Sequence, residues 1–298
     1  MLYTNQSKYT DFFVDSLTHD LFKSLFNILY LKMTLSRAIV LLAYGKRGPK
    51  LLSFVHSQWK IYAKNCGAEL FIITGSLDPS VAHFSMAQKL LIPYEFRAFD
   101  LVLYSDLDVL ISPNAKNIFL NLSDADFHAV PVDLKSQEYS NTCKTFFDIV
   151  PDTSHQDVFE RFGLFVRKDC AHFNDGVWLC RPNIVAELFK KSYFEHKSLH
   201  QFHNAGEMLM GYTICHHLSF DALDYRFNSQ PLFMLYGNDT YEDLRSSFSF
   251  RAARYLERKY LLSALRYPAM YDLLISGFLE DSWFVHFAGG LPYIQYAF

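Results

Sequence analysis

The chain has 298 residues, half of them hydrophobic and one fifth charged, with a formal net charge of −3. That much apolar material buries a substantial core, which excludes a disordered chain. A balance so near neutral also excludes a protein built to coat nucleic acid, since that task needs an excess of Lys and Arg.

Residues 1–34 stand apart. Val14, Leu17, Leu21, Leu25 and Ile28 recur at helical spacing and predict an amphipathic helix. Packing on the main domain is its simplest use; pairing with another subunit in a homodimer, or touching a membrane surface, are the alternatives. The run Leu21–Leu31 is too short to span a bilayer, and Lys23, Ser24 and Asn27 interrupt it. It also lacks the basic start and small-residue cleavage site of a signal peptide. We read 1–34 as an accessory helical segment and 35–298 as the main domain.

From there an alternating pattern begins. Ala38–Ala43 (AIVLLA) reads as a buried strand, followed by a loop over Tyr44–Pro49 and a helix over 50–65. Leu70–Thr74 is a second strand, residues 84–97 a second helix, and Leu101–Tyr104 a third strand. Short apolar runs alternating with helices predict an α/β fold: a mostly parallel, Rossmann-like central sheet flanked by helices. The second half is less regular. Strands are expected within Ala125–Val132, over Phe173–Cys180 and over Trp283–Phe287, and helices over Asn183–Lys191, Ala205–His217 and 241–263. No repeat, low-complexity tract or Pro/Gly/Ser linker divides the chain, so a single domain is expected. The 29 Phe and 19 Tyr serve the core first.

Five cysteines, Cys66, Cys143, Cys170, Cys180 and Cys215, are widely spaced and form no CxxC pair, which argues against a zinc site. We read them as reduced, mostly buried thiols in a reducing, cytoplasmic setting.

The most informative stretch is Phe99–Ile111, where Asp106 and Asp108 interrupt an otherwise apolar run. Carboxylates in such a run need a cation, a proton or hydrogen bonds. Ligands of α/β sheets bind beyond the carboxyl ends of strands, where this pair falls. Residues i and i+2 of an extended segment project to the same side, so both acids can approach one ion. Hard oxygen ligands suit Mn²⁺ or Mg²⁺. The competing reading is a turn or capping role, which Asp favours.

Further segments fall in an order that resembles the GT-A glycosyltransferases, and among them the retaining enzymes of glycosyltransferase family 8. Ser85–Ile111 looks like that family's helix–strand–DxD block, with Lys89 where a basic residue faces the donor. Phe127–Asp133 (FHAVPVD) looks like the next strand, whose terminal Asp133 lies near the donor sugar. Phe173–Val177 (FNDGV) resembles the FN-x-GV motif, in which Asn174 and Asp175 line the sugar pocket. Asn204–Gly211 (NAGEMLMG) takes the place of an acidic or amide motif near the reacting carbon, with Glu207 as its functional side chain. Tyr225–Asn228 (YRFN) resembles a recurrent structural element. His286–Gly289 (HFAG) matches HxxG, whose His is the third metal ligand and whose Gly289 borders the donor. The resemblance covers residues 36–293.

It implies a metal-dependent hexosyltransferase moving a sugar from a nucleotide-sugar donor, UDP by default, to a hydroxyl of a glycan, protein or small molecule with retention. The nucleotide would lie near Ala43, Tyr44 and Asp106, and the sugar among Lys89, Asp133, Asn174, Asp175 and Glu207. A covalent route would use Glu207 or Asp175; a front-side displacement would need no enzyme base. Two departures stand out. Gly290–Leu291–Pro292–Tyr293 lacks the Lys that usually meets the diphosphate, which leaves Lys89, Lys46 or Arg47 for that task. Asp175 replaces a residue that is commonly small.

Each residue also has a plainer use. A lone His286 is more often structural, Glu207 favours a helix dipole, and Lys89 could be a solvated helix residue. Arg251, Arg254 and Arg258 read as a solvated face. His216 and His217, adjacent on a helix, cannot share a metal. Two rival functions stay open: a haloacid-dehalogenase-type phosphohydrolase with Asp106 as nucleophile, and a catalytically silent binding protein on the same fold.

Overall fold

In the computed structural model, which describes residues 35–81, 86–134, 136, 139–140, 143, 154–166, 170, 172–202, 204–231, 233, 243 and 277–288, the uninterrupted apolar run after Arg37 becomes a central strand. This strand, β1 (Arg37–Leu42), is buried from Ala38 onward. It lies between two parallel neighbours, β2 (Glu69–Ile73) and β3 (Leu101–Ser105), with Val40 opposite both Phe71 and Tyr104. β1 and β3 are covered on both faces, which leaves no room for polar side chains and explains their unbroken apolar runs, whereas β2, at the sheet edge, is only half-buried despite its apolar sequence.

Beyond β3 a single strand of the sheet runs in the opposite direction. β6 (Phe173–Cys180) pairs antiparallel with β3 and with β5 (Phe127–Pro131), and β7 (Phe220–Ala222) then pairs parallel with β5. The order is β2-β1-β3-β6-β5-β7, so only β6 runs against the others. A second, two-stranded sheet joins β4 (Val109–Ile111) to β8 (Phe284–His286), antiparallel, with Val109 opposite His286.

Helices flank the sheet. α1 (Gly48–Cys66) has Pro49 in its first turn, where the missing N–H costs nothing, and ends at Gly67 in the left-handed region (φ 61°). Its buried Val55, Trp59, Tyr62 and Cys66 recur every three or four residues. Gly48 lies against the Ala43 carbonyl, in space a side chain would need. The expected helix over 84–97 is instead a 3₁₀ helix, Met86–Leu91, running into one turn of α-helix, α2 (Ile92–Glu95). Pro93 has no N–H to return to residue 89, so α-winding cannot propagate back through this point. After α3 (His155–Glu160), α4 (Pro182–Glu195) runs longer than the sequence suggests, and α5 (Ala205–His217) and β6 fall on their expected residues. The core is aromatic: Trp178 stacks between Tyr104 and Phe127, at 5.1 and 5.6 Å.

Cys170 and Cys215 lie side by side, their Cα atoms 5.5 Å apart, within the span a disulfide would need. The fold brings the start of β6 beside the end of α5, a proximity that sequence spacing does not reveal. Cys66, Cys143 and Cys180 are buried. The expected helix over 241–263, the accessory segment 1–34 and the Gly289–Tyr293 stretch lie outside the described residues. Among the described residues, no helix is long and apolar enough to cross a membrane.

Candidate active site

The site forms where β3 ends. The backbone N–H of Asp106 donates to the Gly176 carbonyl (2.7 Å), which carries the β3–β6 pairing one residue past the strand. The chain then turns through Leu107 to Asp108, whose carbonyl accepts from the Phe287 N–H (2.8 Å) just beyond β8. Each aspartate is therefore fixed from a different direction by backbone, and the His286 ring is delivered between them by the strand paired with β4.

His286 Nε2 lies 3.3 Å from Asp108 Oδ1 and 3.9 Å from Asp106 Oδ2. One donor atom from each residue lies within 4.8 Å of the other two. Behind the ring, His286 Nδ1–H donates to Asn228 Oδ1 (2.8 Å). Asn228 Nδ2 donates to Asn174 Oδ1 (3.3 Å), which also accepts the Gly176 N–H (3.0 Å). This chain fixes the tautomer and leaves the Nε2 lone pair facing the carboxylates, as outer partners of metal-binding histidines do. Gly176 is obligatory. A Cβ there would collide with the imidazole, 2.7 Å from Nδ1.

Lys89, on the 3₁₀ helix, is fully buried. Its Nζ donates to Asp106 Oδ2 (3.0 Å) and Asp175 Oδ1 (2.8 Å). The Tyr104 hydroxyl donates to the other Asp106 oxygen. Burial opposes the Lys89 ammonium, but Asp106 and Asp175 outweigh it and hold its pKa above the ordinary lysine value. Burial raises the Asp175 carboxyl, with Lys89 opposing. For Asp108, burial is overcome by His286, which keeps the carboxyl below its usual range. For His286, burial is overcome by Asp108, which lifts the imidazole above its usual 6.5. Three carboxyl groups, one ammonium and one imidazole thus converge at the end of β3. Two carboxylates and one imidazole are a donor set that fits Mn²⁺ or Mg²⁺.

The other expected residues fall in several places. Asp175 joins the cluster through Lys89, and Gly206 at the head of α5 presses against it, where a Cβ would stand 2.6 Å from Asp175 Oδ2. Asn174 belongs to the support behind His286. Glu207 pairs with His172, Oε1 to Nε2 at 3.0 Å. Asp133 is exposed and lines a cavity of about 210 Å³ with Tyr139, Asn228, Ser229 and Phe233. Ala43 is buried at the end of β1, Tyr44 is half-buried against the core, and Lys46 is exposed in the following turn. Gly289 lies outside the described residues. Sequence reasoning gave no role to Tyr104 or His172. Each flanks a motif, two residues before Asp106 and one before Phe173, and that adjacency was the available signal.

No family model and no curated protein matches the sequence. Solved structures do. The apo WbbM bifunctional glycosyltransferase is 14% identical over 88% of this chain and 50% of its own, with a TM-score of 0.51. A glycosyltransferase involved in glycosylation of the major capsid of PBCV-1 is 13% identical over 87% of this chain and 97% of its own, at 0.47. The galactosyltransferase LgtC, in complex with donor and acceptor sugar analogs, is 13% identical over 87% and 95%, at 0.45. The mostly parallel six-stranded sheet and its flanking helices are those of the GT-A glycosyltransferase fold.

Proposed function

We propose that this chain is a metal-dependent glycosyltransferase that moves a sugar from a nucleoside-diphosphate donor, UDP by preference, to an acceptor hydroxyl with retention. The observation that carries this reading is the meeting of Asp106, Asp108 and His286 at the carboxyl end of β3. These three residues would hold Mn²⁺ or Mg²⁺, which when bound supplies positive charge against the leaving diphosphate. Lys89 holds Asp106 and Asp175 in place, and Asn228 and Asn174 hold the imidazole. Ala43, Tyr44 and Lys46 would border the nucleotide. Asp133, Asn174, Asp175, Glu207 and Gly289 would border the sugar, and the 210 Å³ cavity beside Asn228 gives it room. Residues 35–298 would form the catalytic domain.

Two side-chain contacts support a front-side displacement over a covalent route. Asp175 is bound by Lys89 and Glu207 by His172, so each carboxylate candidate for nucleophile already has a partner. In the front-side route the departing phosphate takes the acceptor's proton, and the protein contributes orientation and electrostatics. The phosphohydrolase reading gains no support, because both oxygens of Asp106 already accept hydrogen bonds, which weakens it as a nucleophile.

The test is thermal melting with a panel of nucleotide sugars, with and without Mn²⁺, followed by assay of sugar release. A metal-dependent rise in melting temperature and UDP-sugar hydrolysis are expected. Phosphate release from aryl phosphates instead would turn the reading to a hydrolase. Binding with no hydrolysis and no transfer to any acceptor would turn it to a silent binding protein. An inverted anomer in the early product would overturn retention.

A further inference from the structure

Glu207, Gly211 and Cys215 fall four residues apart on α5 and so lie along one stripe of the helix. The chain that enters β6 runs beside this stripe. At the head of α5, Glu207 Oε1 stands 3.0 Å from His172 Nε2. Midway, the Phe159 ring fills the space a side chain at Gly211 would need, and the same ring meets His172 edge-on at 6.1 Å. At the tail, Cys215 lies beside Cys170, their Cα atoms 5.5 Å apart. Most disulfides show a separation of about 5.5–6 Å, so the backbone already holds these two residues at bonding distance.

Both elements that the pair would join lead into the candidate active site. The His172 carbonyl accepts from the Val132 N–H (2.8 Å), which ties the lead-in of β6 to the end of β5. Two residues further on, Asn174 stands behind Asn228 and His286. Gly206, in the first turn of α5, lies against Asp175 and the Met86 carbonyl. A covalent link at the tail of the stripe would therefore fix how α5 lies along the strand that carries Asn174 and Asp175.

The cysteines are not equivalent. Cys66 lies on α1, and Cys180 at the far end of β6 opposite Val102 and Phe127. Burial pushes the Cys66 thiol up to about 11 and the Cys180 thiol well above its ordinary value, so both stay protonated and unreactive. Cys215 is half-buried in the last turn of α5, open to a small reagent, while Cys170 is 4% exposed.

We propose that Cys170 and Cys215 are a reversible oxidation site, closed by a small disulfide oxidant such as oxidised glutathione, and that the bond clamps the lead-in of β6 along α5. The Cys215 thiolate attacks the S–S bond of the oxidant and releases one glutathione thiol. Cys170 then attacks the Cys215 sulfur and releases the second. Two protein thiols and one small disulfide give one protein disulfide and two small thiols, which carry off both protons. The inference invokes no donor, acceptor or metal, so it stands apart from the transferase reading.

The test uses the full chain equilibrated with reduced or oxidised glutathione, quenched with acid, unfolded and labelled with N-ethylmaleimide. The reduced protein is expected to take five labels. The oxidised protein is expected to take three, on Cys66, Cys143 and Cys180, with the Cys170 and Cys215 peptides joined. Dithiothreitol should restore all five. Closing a loop with a sequence separation of 45 should raise the melting temperature by about 5–10 °C and slow amide exchange at His172 and in the last turn of α5. Cys170→Ser should stop with glutathione held on Cys215, Cys215→Ser should label alike in both conditions, and neither should show the rise. Full labelling after oxidation, glutathione on Cys215 of the unaltered chain without closure, or a bond to another cysteine would each overturn the site. A bond that forms with no change in melting or exchange would overturn the clamp. Should a serine variant not fold, the label count on the unaltered chain decides by itself.

Discussion

Two histidines, His286 and His128, are equally buried, at 2% and 1% exposure, yet their surroundings differ in kind. His286 has one nitrogen held by Asn228 and the other facing two carboxylates that hold its pKa above the ordinary value. His128 has an Nε2 without a hydrogen-bond partner among the described residues, and burial pushes its pKa down. What surrounds the ring decides its use. Carboxylates beside it make a cation site, which burial alone does not.

The contrast breaks most sharply at Lys89. Replacing it by Met leaves Asp106 and Asp175 buried without their cation, and a loss of about 3–5 kcal/mol of stability is expected. Added Mn²⁺ should recover part of that loss, measured by denaturant unfolding with and without the ion. No recovery would mean that the acids do not gather a cation. Asp106→Ala and Asp108→Ala should stay folded and lose the metal-dependent melting shift; its persistence in both would remove the metal site.

The support behind the ring comes next. Asn228→Ala should weaken Mn²⁺ binding by about 10–100-fold, the usual cost of losing an outer partner of a metal-binding histidine. The pH dependence is a smaller effect with a fixed sign. Because His286 has a raised pKa, its proton stabilises the metal-free fold below the unfolded value near 6.5, and that contribution is lost as pH rises through the folded value. The ion needs the same nitrogen unprotonated. Calorimetric Mn²⁺ affinity should therefore be highest above that folded value and fall by about tenfold per pH unit below it. Smallest of all is Asp221→Ala. It is exposed and outside the metal cluster, and it should alter stability by no more than about 0.5 kcal/mol and leave the metal shift untouched.

Legibility in the sequence followed the range of the interaction involved. β1 and β3 were readable because apolar runs such as that after Arg37 are a local property of buried strands, while the edge strand β2 carries a similar run though only half-buried. The Asp106–Asp108 pair was readable because two acids stand out in such a run. β4 and β7, three residues each, are too short to carry a period. The closeness of Cys170 and Cys215 depends on where α5 ends against β6, which no spacing encodes. His286 entered only through the order of motifs, since nothing around Phe284–Phe287 announces β4 as its partner. The binding of Lys89 to two carboxylates was likewise hidden. A lysine on a short 3₁₀ helix looks like a surface residue until the acids it meets are known.

The small β4–β8 ladder has a mechanical consequence. It staples a turn from the first half of the chain to a strand near its end, and the three donor atoms sit on that staple. An ion gripped there would act as a rivet, and chelation would let the ladder breathe. Amide exchange at Val109, Leu110 and Phe284 would quicken on metal removal while the neighbouring β1 stayed shut.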